Sequence, residues 1–275
     1  MKIGIVLIPH HLARADGQTV TEQIVSVAQD VEKLGFYGLW VTDSFARGAA
    51  TLDPLVLLGL LAGVTNRVEL GTCVVQVPLR HPVEHAHRVQ TVNALTNGRL
   101  RFGVGSGSTR NDFEAVQADY DARFKTLPNY LDVMRRTWNG EGVHGDPITA
   151  WPGTEGGPPV MLGAWRSQRW IDLAAQHCEG WIASGIHGSW EDLELGVKMY
   201  RAAGGQRAIL ANVFADFSPN VEPTRTRHTP KITLHCGPSE ARERLARMEA
   251  LGLDDVLIIL RSSDPRQLEQ LSELL

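Results

Sequence analysis

Apolar residues fall into two alternating patterns along the chain. One is a short unbroken run: Lys2 to Ile8, Tyr37 to Thr42, Val68 to Val75, Leu100 to Val104, Pro159 to Leu162, Gly180 to Ser184, Arg207 to Val213 and Asp255 to Leu260. Runs without polar alternation predict strands buried on both faces. The other pattern is helical spacing, clearest in Val20, Ile24, Val27, Val31 and Leu34, with Gly35 in the usual position after a helix. Asp53-Pro54 is a cap and first-turn pair that opens a helix to Val64. Further helices are predicted over 82–97, 112–116, 122–138, 166–177, 190–203, 238–251 and 265–274, with Pro128 expected to kink or divide its helix. Lys231 to Leu234 reads as a stray extended piece, and 217–230 as a polar, irregular loop.

Eight β/α units follow one another with no break in composition, which predicts a single domain over 1–275 with the (β/α)8 TIM-barrel fold. A doubly wound sheet is the alternative. In both, ligands sit at the carboxyl ends of the strands. The residues in question are therefore 9–11, 43–44, 73–76, 105–108, 163–167 and 184–187.

The stretch Val68 to Gly107 forms a strand, a crossover helix and a second strand that breaks into Gly103-Val104-Gly105-Ser106-Gly107, followed by Ser108. Glycines past a strand end let backbone approach a ligand, or simply let the turn pack closely. The spacing is neither a dinucleotide fingerprint nor a phosphate-binding P-loop. Gly163-Ala164 leads from a strand into a helix and, with Ser167, offers an anion site; a plain βα turn has the same sequence. Asp43 closes the second strand, and His10 and His11 the first. Each is a candidate for proton transfer or for ligand contact. Ser184 ends the sixth strand. His81, His85 and His87 lack the spacing of a metal site, and His81 reads as a helix cap.

Composition narrows the class. The chain is 43% hydrophobic and 21% charged with a net charge of −4, so nothing points to nucleic acid. Cys73, Cys178 and Cys236 are unpatterned and fit a reducing compartment. The amino terminus lacks a signal-peptide cleavage pattern, and the apolar segment 52–64 is too short to span a bilayer. A cytoplasmic protein without membrane contact is expected.

The segment LGTCVVQVPLRHPVEHAHRVQTVNALTNGRLRFGVGSG resembles the bacterial luciferase-like flavin oxidoreductases, above all in Leu79-Arg80-His81-Pro82 and Gly98-Arg99-Leu100. Similarity extends through Gly38 to Asp43, Arg123 to Trp138, Pro159 to Gly163, Glu179 to Ile182 and Gly237 to Ile259, nearly the whole chain. The resemblance implies a barrel that binds reduced FMN or the deazaflavin F420. It implies that Cys73-Val74 forms a bulge under the ring, often through a non-prolyl cis peptide. Gly105, Ser106, Gly107 and Ser108 would lie along the ring, and Gly163 and Ala164 would meet the phosphate. It also implies a homodimer, a small-molecule substrate and a separate flavin or F420 reductase. Two departures stand out: Ser44 replaces a histidine of many members, and Ser108 a glutamate of some F420-dependent ones. Three functions remain open: a flavin- or F420-dependent oxidoreductase, a flavin binder with little turnover, and an unrelated barrel enzyme acting on a sugar phosphate.

Overall fold

The computed structural model describes residues 1–8, 18–165, 167–218, 231–261 and 264–275. The elements in chain order are β1 (Lys2–Leu7), α1 (Val20–Lys33), β2 (Gly38–Val41), α2 (Pro54–Val64), β3 (Glu69–Thr72), β4 (Val75–Gln76), α3 (Pro82–Leu95), β5 (Leu100–Gly105), α4 (Arg110–Ala115) and α5 (Arg123–Trp138). They continue as β6 (Val160–Gly163), α6 (Gln168–His177), β7 (Gly180–Ser184), α7 (Trp190–Ala202), β8 (Ala208–Asp216), β9 (Thr233–His235), α8 (Pro238–Ala250), β10 (Asp255–Leu260) and α9 (Pro265–Ser272). All strand pairings are parallel. The order β10-β1-β2-β3-β5-β6-β7-β8 closes when β8 pairs back to β10, which gives the eight-stranded barrel the sequence predicts.

Three elements differ from expectation. The run 68–75 is not one strand but β3 and β4, separated by Cys73 and Val74. The stray piece becomes β9 and pairs with the carboxyl end of β8, beyond the stretch that pairs with β7. Pro128 leaves α5 undivided. The carbonyl that loses a hydrogen bond to it is that of Phe124, an exposed residue in the first turn of the helix, where solvent can reach it. The predicted irregular loop lies almost wholly outside the described residues, as do His10 and His11. Among the described residues no helix is long and apolar enough to cross a membrane.

Alternate residues of each strand face opposite ways. Ile5, Leu39, Leu70 and Val104 join the helices in the main core, whereas Val6, Trp40, Met161, Ile182, Ile209, Leu257 and Ile259 form a second cluster inside the barrel. Trp40 is fully buried there, and a Cβ on Gly71 of the neighbouring strand would come within 2.4 Å of its ring. The glycine of Leu-Gly-Thr is thus a space for a tryptophan. Arg99, from Gly-Arg-Leu, donates to the carbonyls of Ala62, Thr65, Val68 and Thr96 and so closes the ends of α2 and α3. Asp53 caps α2 through the amides of Leu55 and Val56, as expected; His81 occupies the cap position of α3 but its side chain makes no capping bond.

Candidate functional site

A cavity of about 550 Å³ opens at the carboxyl ends of the strands, within the range of small-molecule and cofactor sites. Its shape begins with β3 and β4. Between the pairs Gly71↔Arg101 and Val75↔Val104 this strand advances four residues while β5 advances three, so Cys73-Val74 is a bulge. The Cys73–Val74 peptide is cis and non-prolyl, as the resemblance implies. Thr72 Oγ1 donates to Gly103 O at 2.6 Å, and a Cβ on Gly103 would lie 1.7 Å from Thr72 O. A Cβ on Gly105 would lie 2.6 Å from Val74 Cγ2, and one on Gly163 would lie 3.0 Å from Val74 Cγ1. Gly103, Gly105 and Gly163 therefore first make room for the bulge, and through it they seat Val74 in the cavity wall. Gly107 has φ +82 and admits no side chain without strain. Burial pushes the Cys73 thiol up to about 12, which keeps it protonated and unreactive.

Of the residues singled out in the sequence, Asp43, Cys73, Val74, Gly105, Ser106, Gly107, Ser108, Gly163, Ala164 and Ser184 line this one cavity. Ser167 does not; it is exposed at the amino terminus of α6. The Ala164 amide is committed to Ile182 O at 3.2 Å, so it is not free for an anion. The amides of Gln168 and Arg169, one turn further on, have no backbone acceptor among the described residues.

Asp43 is buried, and both of its carboxylate oxygens are engaged. Arg80 donates to them at 2.6 and 2.9 Å, and the Gln76 amide donates to Oδ2 at 2.9 Å. Arg80 also reaches Asp53 at 3.6 Å, so one arginine joins the end of β2 to the start of α2. Burial alone would lower the pKa of Arg80, but hydrogen bonding and charge from Asp43, with Asp53 behind it, raise it above its ordinary value. The Gln76 side chain donates to Asp43 O and to Asp112 Oδ2, which extends the network across the wall.

Sequence reasoning missed Asp112, Arg123 and Asn212. Asp112 is fully buried and accepts from the amides of Phe45 and Ala46 as well as from Gln76, so it holds the loop after β2 against the cavity. Arg123, at the start of α5, packs on the rings of Tyr120 (3.7 Å) and Phe124 (4.1 Å). It donates to Tyr120 O, its Nε is buried without a partner, and no carboxylate pairs with it among the described residues. Phe124 contacts Trp170 in the first turn of α6 at 6.1 Å between ring centroids, which sets Arg123's helix beside the amino-terminal amides of α6. Asn212 was hidden in an otherwise apolar run; its one polar side chain was the available signal.

A flavin or deazaflavin fits these residues. Val74, with the side-chain-free edges of Gly105 and Gly163 beside it, gives an apolar wall that suits a flat ring. Arg123, without a carboxylate partner among the described residues, and the first-turn amides of α6 suit a phosphate. Ser44 Oγ and Gln76 Oε1 are buried at the wall without partners among the described residues.

The chain resembles known proteins in sequence and in fold. Residues 1–241 match the model of the luciferase-like monooxygenases. An uncharacterized protein of Mycobacterium tuberculosis, Rv0953c, is 29% identical over 228 residues, 78% of this chain and 72% of that protein. The 4-hydroxyprotoasukamycin monooxygenase of Streptomyces nodosus subsp. asukaensis is 31% identical over 151 residues, 54% of this chain and 39% of the enzyme. Among solved structures, the monooxygenase RslO1 from Streptomyces bottropensis superimposes with a TM-score of 0.80 at 19% identity, over 100% of this chain and 98% of that one. An F420-dependent secondary alcohol dehydrogenase in complex with an F420-acetone adduct does so at 0.74 and 16%, over 100% and 98%. The oxygenating constituent of 3,6-diketocamphane monooxygenase from Pseudomonas putida, in complex with FMN, does so at 0.73 and 14%, over 100% and 96%. At these identities the structural likeness establishes the fold alone.

Proposed function

The chain belongs to the luciferase-like monooxygenase family, and on that premise we propose that it is a flavin-dependent oxidoreductase, acting with reduced FMN and O2 on a small organic substrate. The observation that carries this reading is the Cys73-Val74 bulge, seated between Gly105 and Gly163 at the wall of a flavin-sized cavity. When bound, the reduced cofactor supplies the electrons for oxygenation; the chain's part is to bind, orient and exclude water. Val74 and Cys73 support the ring, and Gly105, Ser106, Gly107 and Ser108 line its edge. Gly163 and Ala164 continue the wall toward α6, where Ser167, the amides of Gln168 and Arg169, and Arg123 receive the phosphate. Asp43 is the one carboxylate among the described cavity-lining residues and the candidate for proton handling, with His10 and His11 as the others.

A second reading keeps the same site but uses F420, with hydride exchange in place of oxygenation; the superposition on an F420-dependent dehydrogenase supports it. A flavin binder with little turnover is the third, supported by Ser44 and Ser108, which cannot hold or release a proton near neutral pH. The protein is further proposed to be a cytoplasmic homodimer served by a separate reductase. Parallel fluorescence titrations with FMN and F420 test the reading. Micromolar binding of one of them is expected, and binding of neither overturns it. Oxidation of the reduced cofactor with candidate substrates then separates an enzyme from a binder.

A further inference from the structure

Three residues other than glycine have positive φ among the described residues: Asn97, Gln117 and Asn212. The first two follow helix ends, where that conformation is ordinary. Asn212 lies inside β8 with φ +60. Along β10 the partners jump from Val256↔Leu210 to Ile258↔Val213, so the strand carries an extra residue at this point. A bulge of this kind re-aims a side chain, and a left-handed residue inside a strand persists only where the surrounding fold holds it.

The side chain lines the cavity. Asn212 Nδ2 donates to Ser184 Oγ on the neighbouring β7 at 3.3 Å, and the Ile186 amide donates to the same oxygen at 3.4 Å. With two donors on its oxygen, the Ser184 hydroxyl is left to donate its own hydrogen. Asn212 Oδ1, opposite the bonded nitrogen, is left to accept. The pair thus presents both kinds of group: one acceptor, Asn212 Oδ1, and two hydrogens to donate, that of the Ser184 hydroxyl and the second on Asn212 Nδ2. A hydroxyl, a carboxamide or a lactam satisfies both, whereas a carboxylate offers only acceptors. Ile186, Phe214 and Ile259 line the same side of the cavity and suit an apolar body around that group.

Resting on the cofactor placement proposed above, we propose that Asn212 and Ser184 orient the substrate, and that the substrate is an apolar molecule carrying one hydroxyl or amide group. The glycines and Val74 that would receive the ring belong to β3 through β6; the β7–β8 wall is what remains to face the second reactant. This moves Ser184 from cofactor to substrate.

The competing explanation is that asparagine is present only because it tolerates the left-handed backbone. Asn212→Gly separates the two, since glycine adopts φ +60 without strain but has no amide. The probes are matched pairs, such as caprolactam against N-methylcaprolactam and cyclohexanol against its methyl ether. Binding is read by thermal shift with and without flavin, so it does not depend on turnover. In the wild type the N–H or O–H member should bind about tenfold more tightly, the value of one hydrogen bond. In Asn212→Gly that preference should vanish while melting temperature and flavin affinity stay unchanged. No preference in the wild type, a preference kept in the variant, or a loss of flavin affinity in the variant would each overturn the proposal. Failure of the wild type to bind either flavin is a different result: it removes the cofactor reading on which the proposal rests.

Discussion

Arg80 grips both carboxylate oxygens of Asp43, at 2.6 and 2.9 Å, from a turn 37 residues further along the chain. The contact unites the acid that follows β2 with the arginine of Leu-Arg-His-Pro, one of the two most specific pieces of the sequence. The motif thereby acquires a physical role. A buried acid at a barrel mouth needs a cation, and the turn after β4 delivers one.

Two consequences are separable. Removing one partner of a buried ion pair leaves the other uncompensated, so Asp43→Asn should cost about 3 kcal/mol in a denaturant titration. If Asp43 also handles a proton, kcat should fall by about 10²-fold or more at a temperature where the variant is fully folded. Arg80→Gln breaks the same pair from the other side. If it reproduces the whole kinetic loss, Asp43 only positions its neighbours. If kcat falls in Asp43→Asn alone, the carboxylate takes part in the chemistry.

His85 is fully buried against Phe102 and neither ring nitrogen has a partner among the described residues. Burial, with the charges of Arg80 and Arg88 behind it, pushes its pKa down from 6.5 to about 3. The folded chain therefore refuses a proton that the unfolded chain accepts below pH 6.5. Stability is full above that value and falls as pH drops from there toward 3, by about 2 kcal/mol at pH 5. In His85→Leu the loss between about pH 7 and pH 5 should shrink by that amount, measured by denaturant titration at both values. An unchanged slope would show that His85 is protonated in the fold.

Much of the fold was legible because strands buried on both faces write themselves as unbroken apolar runs, and eight of them with helices between admit few arrangements. The cavity was legible because strand ends can be counted. Long-range pairing was not. Asp112 opens the short helix predicted over 112–116, whose sequence says nothing of a distant partner, and only the fold brings it against Gln76 and the amides of Phe45 and Ala46. In sequence Gly103, Gly105 and Gly107 read as space for a ligand or as a closely packed turn; in the fold Gly103 and Gly105 make space for Thr72 and Val74. A glycine's place is visible in sequence, but its neighbour is not.

The outer face of α2 bears on assembly. Val56 is 72% exposed and Leu95 of α3 59%, with Leu52 also exposed. Apolar side chains so placed on neighbouring helices are what a self-complementary interface would cover. Val56→Lys should convert the proposed dimer to a monomer in light scattering at micromolar concentration, with the melting temperature of the monomer unaffected. A wild-type protein that is already monomeric refutes the dimer outright.

Arg123 gives the sharpest test of how the cofactor lies. Its guanidinium is fixed between two aromatic rings, lacks a carboxylate partner among the described residues, and stands on the helix that packs against the first turn of α6. An arginine held in this way is already ordered, so little entropy is lost when an anion arrives. If the phosphate end of the cofactor reaches it, Arg123→Gln should weaken FMN binding by about tenfold or more, the scale of a charge-assisted hydrogen bond. Riboflavin has the same ring without the phosphate, and its affinity should not change. The ratio of the two dissociation constants, taken from fluorescence titrations of wild type and variant, cancels any general effect on the fold. Equal losses for both ligands would place Arg123 under the ring or in the scaffold, and no loss for either would send the phosphate elsewhere on the rim.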